Sequence, residues 1–336
     1  MSTSDVTVDG VIGQRPGRDA MPGTHGNGRR RRRGAEEPMV PSATFGSYYG
    51  LPIIKQPTWR SPDIPGYLFL GGLAAGSSLL ATGAQLLGFD ALANRSKLVA
   101  TAGAALSGVA LVHDLGKPSR FINMLRVFKP TSPMSVGSWL LAGFGSSSAL
   151  AAIGVVTPRL RRLTTAGAIS AACFAPFVAS YTAALLSDTA VPAWHDAYRE
   201  LPFVFVGSAA MAAGGMGLIN APLDQAGIAR RMASLGWILE SSSSELMERR
   251  LGMVGEPYQH GPAGQWLKAG KVLAVVGTVT AWVGRRNRLT NACAGAALVG
   301  ASVCTRFGVF HAGIASAKDP KYTVVPQRAR QEGNSS

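Results

Sequence analysis

HDLGKPSRFINMLRVFKPTSPMSVGSW, residues His113–Trp139, is a polar loop between two long apolar runs. The preceding run ends at Val112 and the following one begins near Ser135. The loop carries one acid, Asp114, and four cations, Lys117, Arg120, Arg126 and Lys129. A long, proline-punctuated polar loop between membrane-grade segments is costly unless it binds something. We call residues 113–139 the signature loop and expect it to work at a membrane surface.

Composition also indicates a membrane protein. Of the 336 residues, 47% are hydrophobic and 15% are charged, whereas soluble domains carry about 25% charged residues. Glycine is abundant, with 41 residues, and small residues let membrane helices approach closely. The net charge of +15 fits cations beside membrane spans and a basic tail that meets anionic membrane lipid. No nucleic-acid partner is expected, because no basic soluble module is visible.

The cysteines and histidines do not indicate a metal centre. Cys173, Cys293 and Cys304 lie in apolar runs, and no two of them form CxxC. Iron–sulfur clusters need closely spaced thiolates, so we expect none in this chain and expect buried cysteines. His113 and His311 lie at the margins of their spans, which disfavours bis-histidine haem.

The chain divides into three regions. Residues 1–60 are rich in Gly, Pro, Arg and Ser, with an unbroken basic run at Arg29–Arg33. This region has too little apolar area to offset the entropy of ordering, so we expect a largely disordered tail. Residues 61–317 form a polytopic membrane domain, and residues 318–336 form a C-terminal tail.

The membrane domain contains apolar runs of the roughly 20 residues that a helix needs to cross a bilayer. We predict an all-α integral membrane protein with about eight spans: Ile64–Leu87, Arg95–Val112, Ser135–Val156, Leu163–Ser187, Leu201–Asn220, Ala226–Ser243, Trp266–Val283 and Leu289–Phe310. The sixth span is the weakest, because Arg230, Arg231 and Glu240 interrupt it. A surface helix is the alternative there.

An even number of spans places both termini on one side, with the joints after the second, fourth and sixth spans. We call this side the signature face, because it carries the signature loop. The tight turns on the other side bear arginines, which argues that the other side is cytoplasmic. The Arg29–Arg33 run and the cationic signature loop argue the reverse. Absolute orientation therefore stays open.

Several residues near the signature face could handle a ligand. His113 and Asp114 could pass protons where the second span leaves the membrane, or they could cap a helix end. Tyr181 in the fourth span needs a partner for its hydroxyl, either a quinone carbonyl or a neighbouring helix. Gly72 and Gly76 form a GxxxG that packs against a helix or leaves a groove for a flat ligand.

Two other polar features need an explanation. The joint Asp188–Phe205 crowds Trp194 and Arg199 between prolines. It is either a wet interfacial loop or a docking surface for a partner subunit. Arg306 interrupts the eighth span and cannot face lipid cheaply, so it must pair with an acid or line a polar cavity.

Several segments together resemble the NrfD family, the membrane subunits of polysulfide reductase and related molybdo-enzyme complexes. They are YLFLGGLAAG (Tyr67–Gly76), DLGKPSRFINMLRVFKPTSPMSVGSW (Asp114–Trp139), YTAALLS (Tyr181–Ser187), PAWHDAYRELPFVF (Pro192–Phe205) and RFGVFHAGIASAKDPKYTVVPQR (Arg306–Arg328). The resemblance covers about residues 59–328, and the signature loop is its most specific part.

The resemblance implies two stacked four-helix bundles, one of which houses menaquinone or ubiquinone near the signature face. It also implies a ferredoxin-like iron–sulfur subunit on that face and a molybdopterin catalytic subunit behind it. Asp114 matches the acid that opens the DLGxPxRF motif, Tyr181 matches a quinone-contacting tyrosine, and His113 precedes the motif. We assign quinone binding or proton transfer to His113, Asp114, Tyr181, Tyr67, Gly72 and Gly76, and partner docking to Lys117, Arg120, Arg126, Lys129, Trp194 and Arg199.

The sequence thus predicts a non-catalytic anchor of a respiratory oxidoreductase complex in the bacterial cytoplasmic membrane. It would exchange electrons between the iron–sulfur partner and membrane quinone. A proton- or solute-translocating module and a purely structural anchor are the alternatives. The terminal substrate and the direction of electron flow are not encoded in this chain.

Overall fold

A computed structural model of the chain describes residues 5–7, 10–12, 54–116 and 118–334. The two short segments are strands β1 (Asp5–Thr7) and β2 (Gly10–Ile12), which pair antiparallel. Most of the predicted tail, including Arg29–Arg33, lies outside the described residues, and so does Lys117 of the signature loop. Disorder of the tail therefore stays a prediction.

The longer segments are helical. The helices are α1 (Asp63–Leu86), α2 (Asp90–Leu115), α3 (Pro118–Met124), α4 (Pro133–Val156), α5 (Arg161–Ser187), α6 (Pro192–His195), α7 (Leu201–Asn220), α8 (Ala226–Leu251), α9 (Glu256–Gln259), α10 (Gly261–Val283), α11 (Arg288–Lys318) and α12 (Lys321–Asn334). Short 3-10 turns at Pro158–Leu160 and Gly252–Gly255 precede α5 and α9.

Among the described residues, seven helices are long and apolar enough to cross a membrane: α1, α2, α4, α5, α7, α10 and α11. They correspond to seven of the predicted spans, and α7 matches its predicted span at both ends. Large apolar side chains such as Leu106, Val109 and Val276 are exposed on their outer faces. A lipid-facing surface has this character, whereas a soluble surface avoids large apolar patches. The chain is therefore a multi-pass membrane protein.

The sixth predicted span, Ala226–Ser243, is the first part of the longer helix α8, which is not among the seven apolar candidates. α8 nevertheless packs along α7. A Cβ added to Gly207 would lie 2.5 Å from the Glu240 backbone nitrogen, and one added to Gly217 would lie 2.7 Å from the Ala229 Cβ. These contacts lie in opposite halves of both helices, so α8 runs antiparallel to α7 and belongs to the helical assembly.

The helices form two sets of contacts that share one seam. In the first set, α1 packs against α2 and α5, and α4 packs against α2 and α5. In the second set, α7 packs against α8 and α11, and α10 packs against α11. The seam joins α1 to α7, where a Cβ added to Gly76 would lie 2.5 Å from the Ala209 carbonyl oxygen. Only glycine allows this backbone contact.

The polar joints meet at one end of the helices. His113 near the end of α2 lies 2.9 Å from the Asp63 carboxylate at the start of α1. Arg250 near the end of α8 lies 2.6 Å from the Glu200 carboxylate before α7. The signature loop, α6 and α9 are at this same end, which is the signature face. The end of α8 therefore lies on this face, beside the start of α7.

Gly76→Ala should destabilise the protein. The new methyl would collide with backbone that cannot move without shifting α7, and such overpacking costs about 1–3 kcal/mol. Gly83→Ala is the matched control in the same helix, because nothing lies within 4 Å of its added Cβ. The control should keep or slightly raise stability. Thermal unfolding in detergent micelles measures the stability of both variants. Equal unfolding midpoints would contradict a close backbone contact between α1 and α7 at Gly76.

Candidate functional site

A cavity of about 220 Å³ opens at the signature face between α1, α2, α4 and α5. Its walls are mostly apolar and include Trp59, Leu111, Met124, Met134 and Leu185. It is smaller than the roughly 300–1,000 Å³ of drug-sized sites. We call it the Tyr181 cavity; its size and lining suit one flat ring whose substituents extend outward.

The polar residues that line the Tyr181 cavity include Thr58, Tyr67, Asp114, Ser138 and Tyr181. The Ser138 hydroxyl donates to the Ser135 carbonyl at 2.8 Å. Within the part of the chain that the structure describes, neither phenol hydroxyl has a hydrogen-bond partner. The two phenols are close enough to interact electrostatically. Because buried hydroxyls need partners, both are free to bond an acceptor in the cavity.

Gly137 on α4 determines where the Tyr181 ring lies. A Cβ added to Gly137 would lie 1.7 Å from Tyr181 Cζ and 2.0 Å from its hydroxyl oxygen. The phenol therefore crosses α4 at a position that has no side chain. This contact fixes the ring and keeps its hydroxyl at the cavity wall.

The segment before α1 covers the cavity and is held from two sides. The Arg60 backbone N–H donates to the Asp114 carboxylate at 3.1 Å. Trp59 stacks on Trp194, with ring centroids 5.7 Å apart. Trp194 is fully buried, and its indole N–H donates to the Val309 carbonyl of α11 at 2.8 Å. The position of Trp59 therefore depends on α11 as well as on α2.

His113 lies outside the cavity. Its side chain is 69% exposed, and its Nδ1 lies 2.9 Å from Asp63 Oδ2. Of the predicted His113 and Asp114 pair, only Asp114 lines the cavity. The contact with Asp63 instead places an imidazole and a second carboxylate at the signature face, beside Asp114.

Three residues predicted for the site have other roles. Gly72 and Gly76 lie on the side of α1 that packs against α7 and α11, where a Cβ on Gly72 would lie 3.0 Å from the Arg306 guanidinium. The GxxxG therefore packs helices together, and neither glycine lines the Tyr181 cavity. Trp194 cannot touch a partner, because the helices bury it completely.

The cations of the signature loop are at the surface. Arg120, Arg126 and Lys129 are all exposed, although Arg120 also donates to the Leu115 carbonyl at 3.1 Å. Ser135 orders the loop, since its hydroxyl accepts from the Lys129 N–H at 3.0 Å. These charges remain available to an acidic surface.

The second predicted docking segment has one exposed cation. Arg199 is exposed, and its Nε donates to the Tyr198 hydroxyl at 2.9 Å. It neighbours the Glu200–Arg250 ion pair, which fixes the start of α7. Arg199 therefore adds a positive charge beside a rigid part of the signature face.

Among the described residues, no group of three or more His, Cys, Asp or Glu could hold a metal ion. Cys304 is buried, but Cys173 and Cys293 are exposed. The expectation of burial was wrong for these two, which lie on outward helix faces. A cysteine there acts as a small apolar side chain.

Sequence reasoning missed several residues of the site. Gly137 and Ser138 stand in the signature loop, but their spacing gives no sign that Tyr181 packs there. Asp63 had a weak signal, since an acid opens the first span on the face where His113 ends the second. Trp59 lies in a segment with no helical or strand pattern, so only the tertiary structure places it.

The fold and the cavity define a class of protein: a polytopic helical membrane protein with a ring-sized cavity beneath a cationic loop. The family model described as Polysulphide reductase, NrfD matches residues 55–238. This range covers more than half of the chain and all of the Tyr181 cavity, so the chain belongs to the NrfD family. Membership indicates a membrane subunit of an oxidoreductase complex, and such subunits usually partner with other redox subunits. No curated protein matches the chain.

Gly137→Ala should weaken binding of a flat ligand in the cavity, because the methyl must displace the Tyr181 ring. Loss of one hydrogen bond costs about 1 kcal/mol, so the Kd of a short-chain quinone analogue should rise roughly fivefold or more. Gly145→Ala on the same helix is the control, with nothing within 4 Å of its added Cβ. Titration of purified protein measures both, and equal affinities would mean that Tyr181 does not contact the ligand.

Proposed function

We propose that the protein is the quinone-handling anchor of a respiratory oxidoreductase complex in a bacterial cytoplasmic membrane. One observation carries the proposal: the phenol hydroxyls of Tyr67 and Tyr181 have no hydrogen-bond partner among the described residues, and both tyrosines line an apolar cavity together with Asp114. A quinone ring offers two carbonyl acceptors and flat apolar faces, which fit this lining. Family membership supplies the redox context.

The residues that line the cavity would have different roles in binding a quinone. The Tyr181 hydroxyl, fixed by Gly137, would donate to one ring carbonyl, and Tyr67 would donate from the opposite wall. Trp59, Met124 and the aliphatic walls would pack against the ring and exclude water. Menaquinone or ubiquinone would supply the two-electron chemistry, and the protein would supply position and proton exchange.

Protons need a separate route, because quinone chemistry moves two of them with two electrons. Asp114 lies at the mouth of the cavity, where water can reach its carboxylate. His113 and Asp63 lie just beyond it. A carboxylate followed by an imidazole can pass protons to the surface.

The partner would dock on the signature face. Arg120, Arg126 and Lys129 are exposed on the loop whose Met124 lines the cavity, and their positive charge favours an acidic partner surface. A ferredoxin-like iron–sulfur subunit there would bring a cluster close to the quinone, and a molybdopterin subunit would stand behind it. The contacts among α1, α2, α4 and α5, and among α7, α8, α10 and α11, support two four-helix bundles with α8 as an eighth span.

A purely structural anchor is the main alternative, and two substitutions separate it from the proposal. Tyr181→Phe removes one hydrogen bond of about 1–2 kcal/mol. It should weaken quinone binding roughly five- to thirty-fold. Asp114→Asn removes a proton carrier and should chiefly lower the maximal rate. The measurement is quinone-dependent electron transfer in membranes, normalised to assembled complex.

The control for these variants is assembly itself. Neither change opens a cavity, so both variants should appear in the complex at wild-type amounts. Wild-type rates in both would place the quinone site elsewhere. Lost assembly would support the structural anchor.

Reversing Arg120 and Arg126 to Glu should release the iron–sulfur subunit, because the new charges would repel an acidic docking surface. Arg159 and Arg162 are exposed cations near the start of α5, on the other side of the membrane. Their reversal to Glu is the matched control. Co-purification of partner subunits measures the effect. Retention of the partner by the Arg120 and Arg126 variant would argue against docking at the signature loop.

A further inference from the structure

A second cavity lies in the other set of helices and shares no residue with the Tyr181 cavity. Its volume is about 260 Å³, and it opens between α8 and α10. These two helices are joined away from the signature face, where Arg230 donates to the Ala281 carbonyl at 2.7 Å and Trp282 donates to the Ser234 hydroxyl at 2.9 Å. Nearer the signature face they separate. We call the resulting space the Glu240 cleft.

Glu240 lies at the inner end of the cleft. Only 9% of the residue is exposed. One carboxylate oxygen accepts a hydrogen bond from the Thr305 hydroxyl, and the other is buried without a partner in the part of the chain described. A buried carboxylate oxygen is costly unless something satisfies it. Glu240 therefore requires either a bound proton or water in the cleft.

Arg306 on α11 supplies the opposing charge. It is fully buried and within electrostatic range of Glu240. Its Nη2 donates to the Phe205 carbonyl at 2.7 Å, and the guanidinium lies 3.7 Å from the Phe205 ring centroid. Its Nε and Nη1 have no partner among the described residues. Because a guanidinium keeps its proton, the charge beside Glu240 is fixed while that of Glu240 can change.

Polar side chains connect Glu240 to the surface. Ser241 and Ser244 line the cleft on α8, and Glu245 is exposed at its mouth. Lys271 on α10 lies 2.8 Å from the Glu248 carboxylate there. The remaining groups that face Glu240 are Ser208 on α7 and, farther along the cleft, Tyr258 on α9. The cleft has room for several water molecules, since each takes about 30 Å³.

We propose that the Glu240 cleft is a water-accessible proton site, in which Glu240 takes up and releases a proton beside the fixed charge of Arg306. A hydronium ion in the water of the cleft donates the proton: its O–H bond breaks, an O–H bond forms on a Glu240 carboxylate oxygen, and a water molecule is left; release of the proton reverses these steps, and no electron is transferred. The site needs neither quinone nor partner. Failure of the quinone proposal would leave it standing.

Carbodiimide labelling tests the proposal on the purified wild-type chain. Dicyclohexylcarbodiimide adds as a whole molecule to a protonated carboxyl in an apolar setting, and peptide mass spectrometry locates the adduct. Glu240 should be labelled, with a yield that falls about tenfold per pH unit above its pKa, because the protonated fraction does so. Glu200 is the internal control, since it is equally buried but bound by Arg250, and it should stay unlabelled.

A second measurement asks whether water fills the cleft. The protein is reconstituted in liposomes so that a reagent in the outer solution reaches the signature face. A cysteine introduced in the cleft by Ser244→Cys should then react with a charged, membrane-impermeant thiosulfonate. Ile238→Cys on the exposed apolar face of the same helix should not react. An unlabelled Glu240 at every pH would overturn the proposal. An unreactive Ser244→Cys would overturn it too, because the cleft would then hold a lipid chain.

Discussion

The backbone contact between α1 and α7 is the interaction on which the rest of the structure depends. Within lipid no hydrophobic effect draws helices together, so van der Waals contact must hold them. At Gly76 the two backbones meet because no side chain separates them. One turn earlier, Gly72 leaves the space that the Arg306 guanidinium occupies. Tyr67, nearer the start of α1, reaches the Tyr181 cavity. Helix α1 thus helps to position Tyr67 in the first set of helices and Arg306 in the second.

Both cavities contain polar atoms that have no hydrogen-bond partner in the described part of the chain. In the Tyr181 cavity these atoms are neutral phenol hydroxyls, which suit the carbonyl oxygens of an uncharged ring. In the Glu240 cleft the unpartnered atom belongs to a carboxylate, with the buried Arg306 guanidinium within electrostatic range of it, and a carboxylate suits water and protons. Buried polar groups without partners reduce stability, and intramembrane ionisable groups are functional candidates by default. The difference in charge explains why the two cavities are assigned different ligands.

Much of the fold could be predicted from the sequence, because length and hydropathy suffice to locate apolar helices. Seven predicted spans correspond to helices, although α11 continues to Lys318, well beyond the predicted Phe310. The candidate site was predicted less well. The GxxxG of α1 indicates a close contact but not which helix makes it. Trp194 follows a proline in a polar joint, so it resembles an interfacial residue. Its burial depends on Gly313, far along the chain, where any Cβ would overlap the indole.

Helix α8 shows how an average over residues can hide a close-packed helix face. Its mean hydropathy is too low for a candidate span, yet its glycine and alanine face contacts α7 at backbone distance. Its polar residues are divided between Arg230, which caps the carbonyl of Ala281, and the serine-rich face along the Glu240 cleft. Hydropathy counts these residues as if lipid surrounded them. A polar helix can lie at membrane depth where it lines a water-filled space, so the low hydropathy of α8 agrees with the water that is proposed for the cleft.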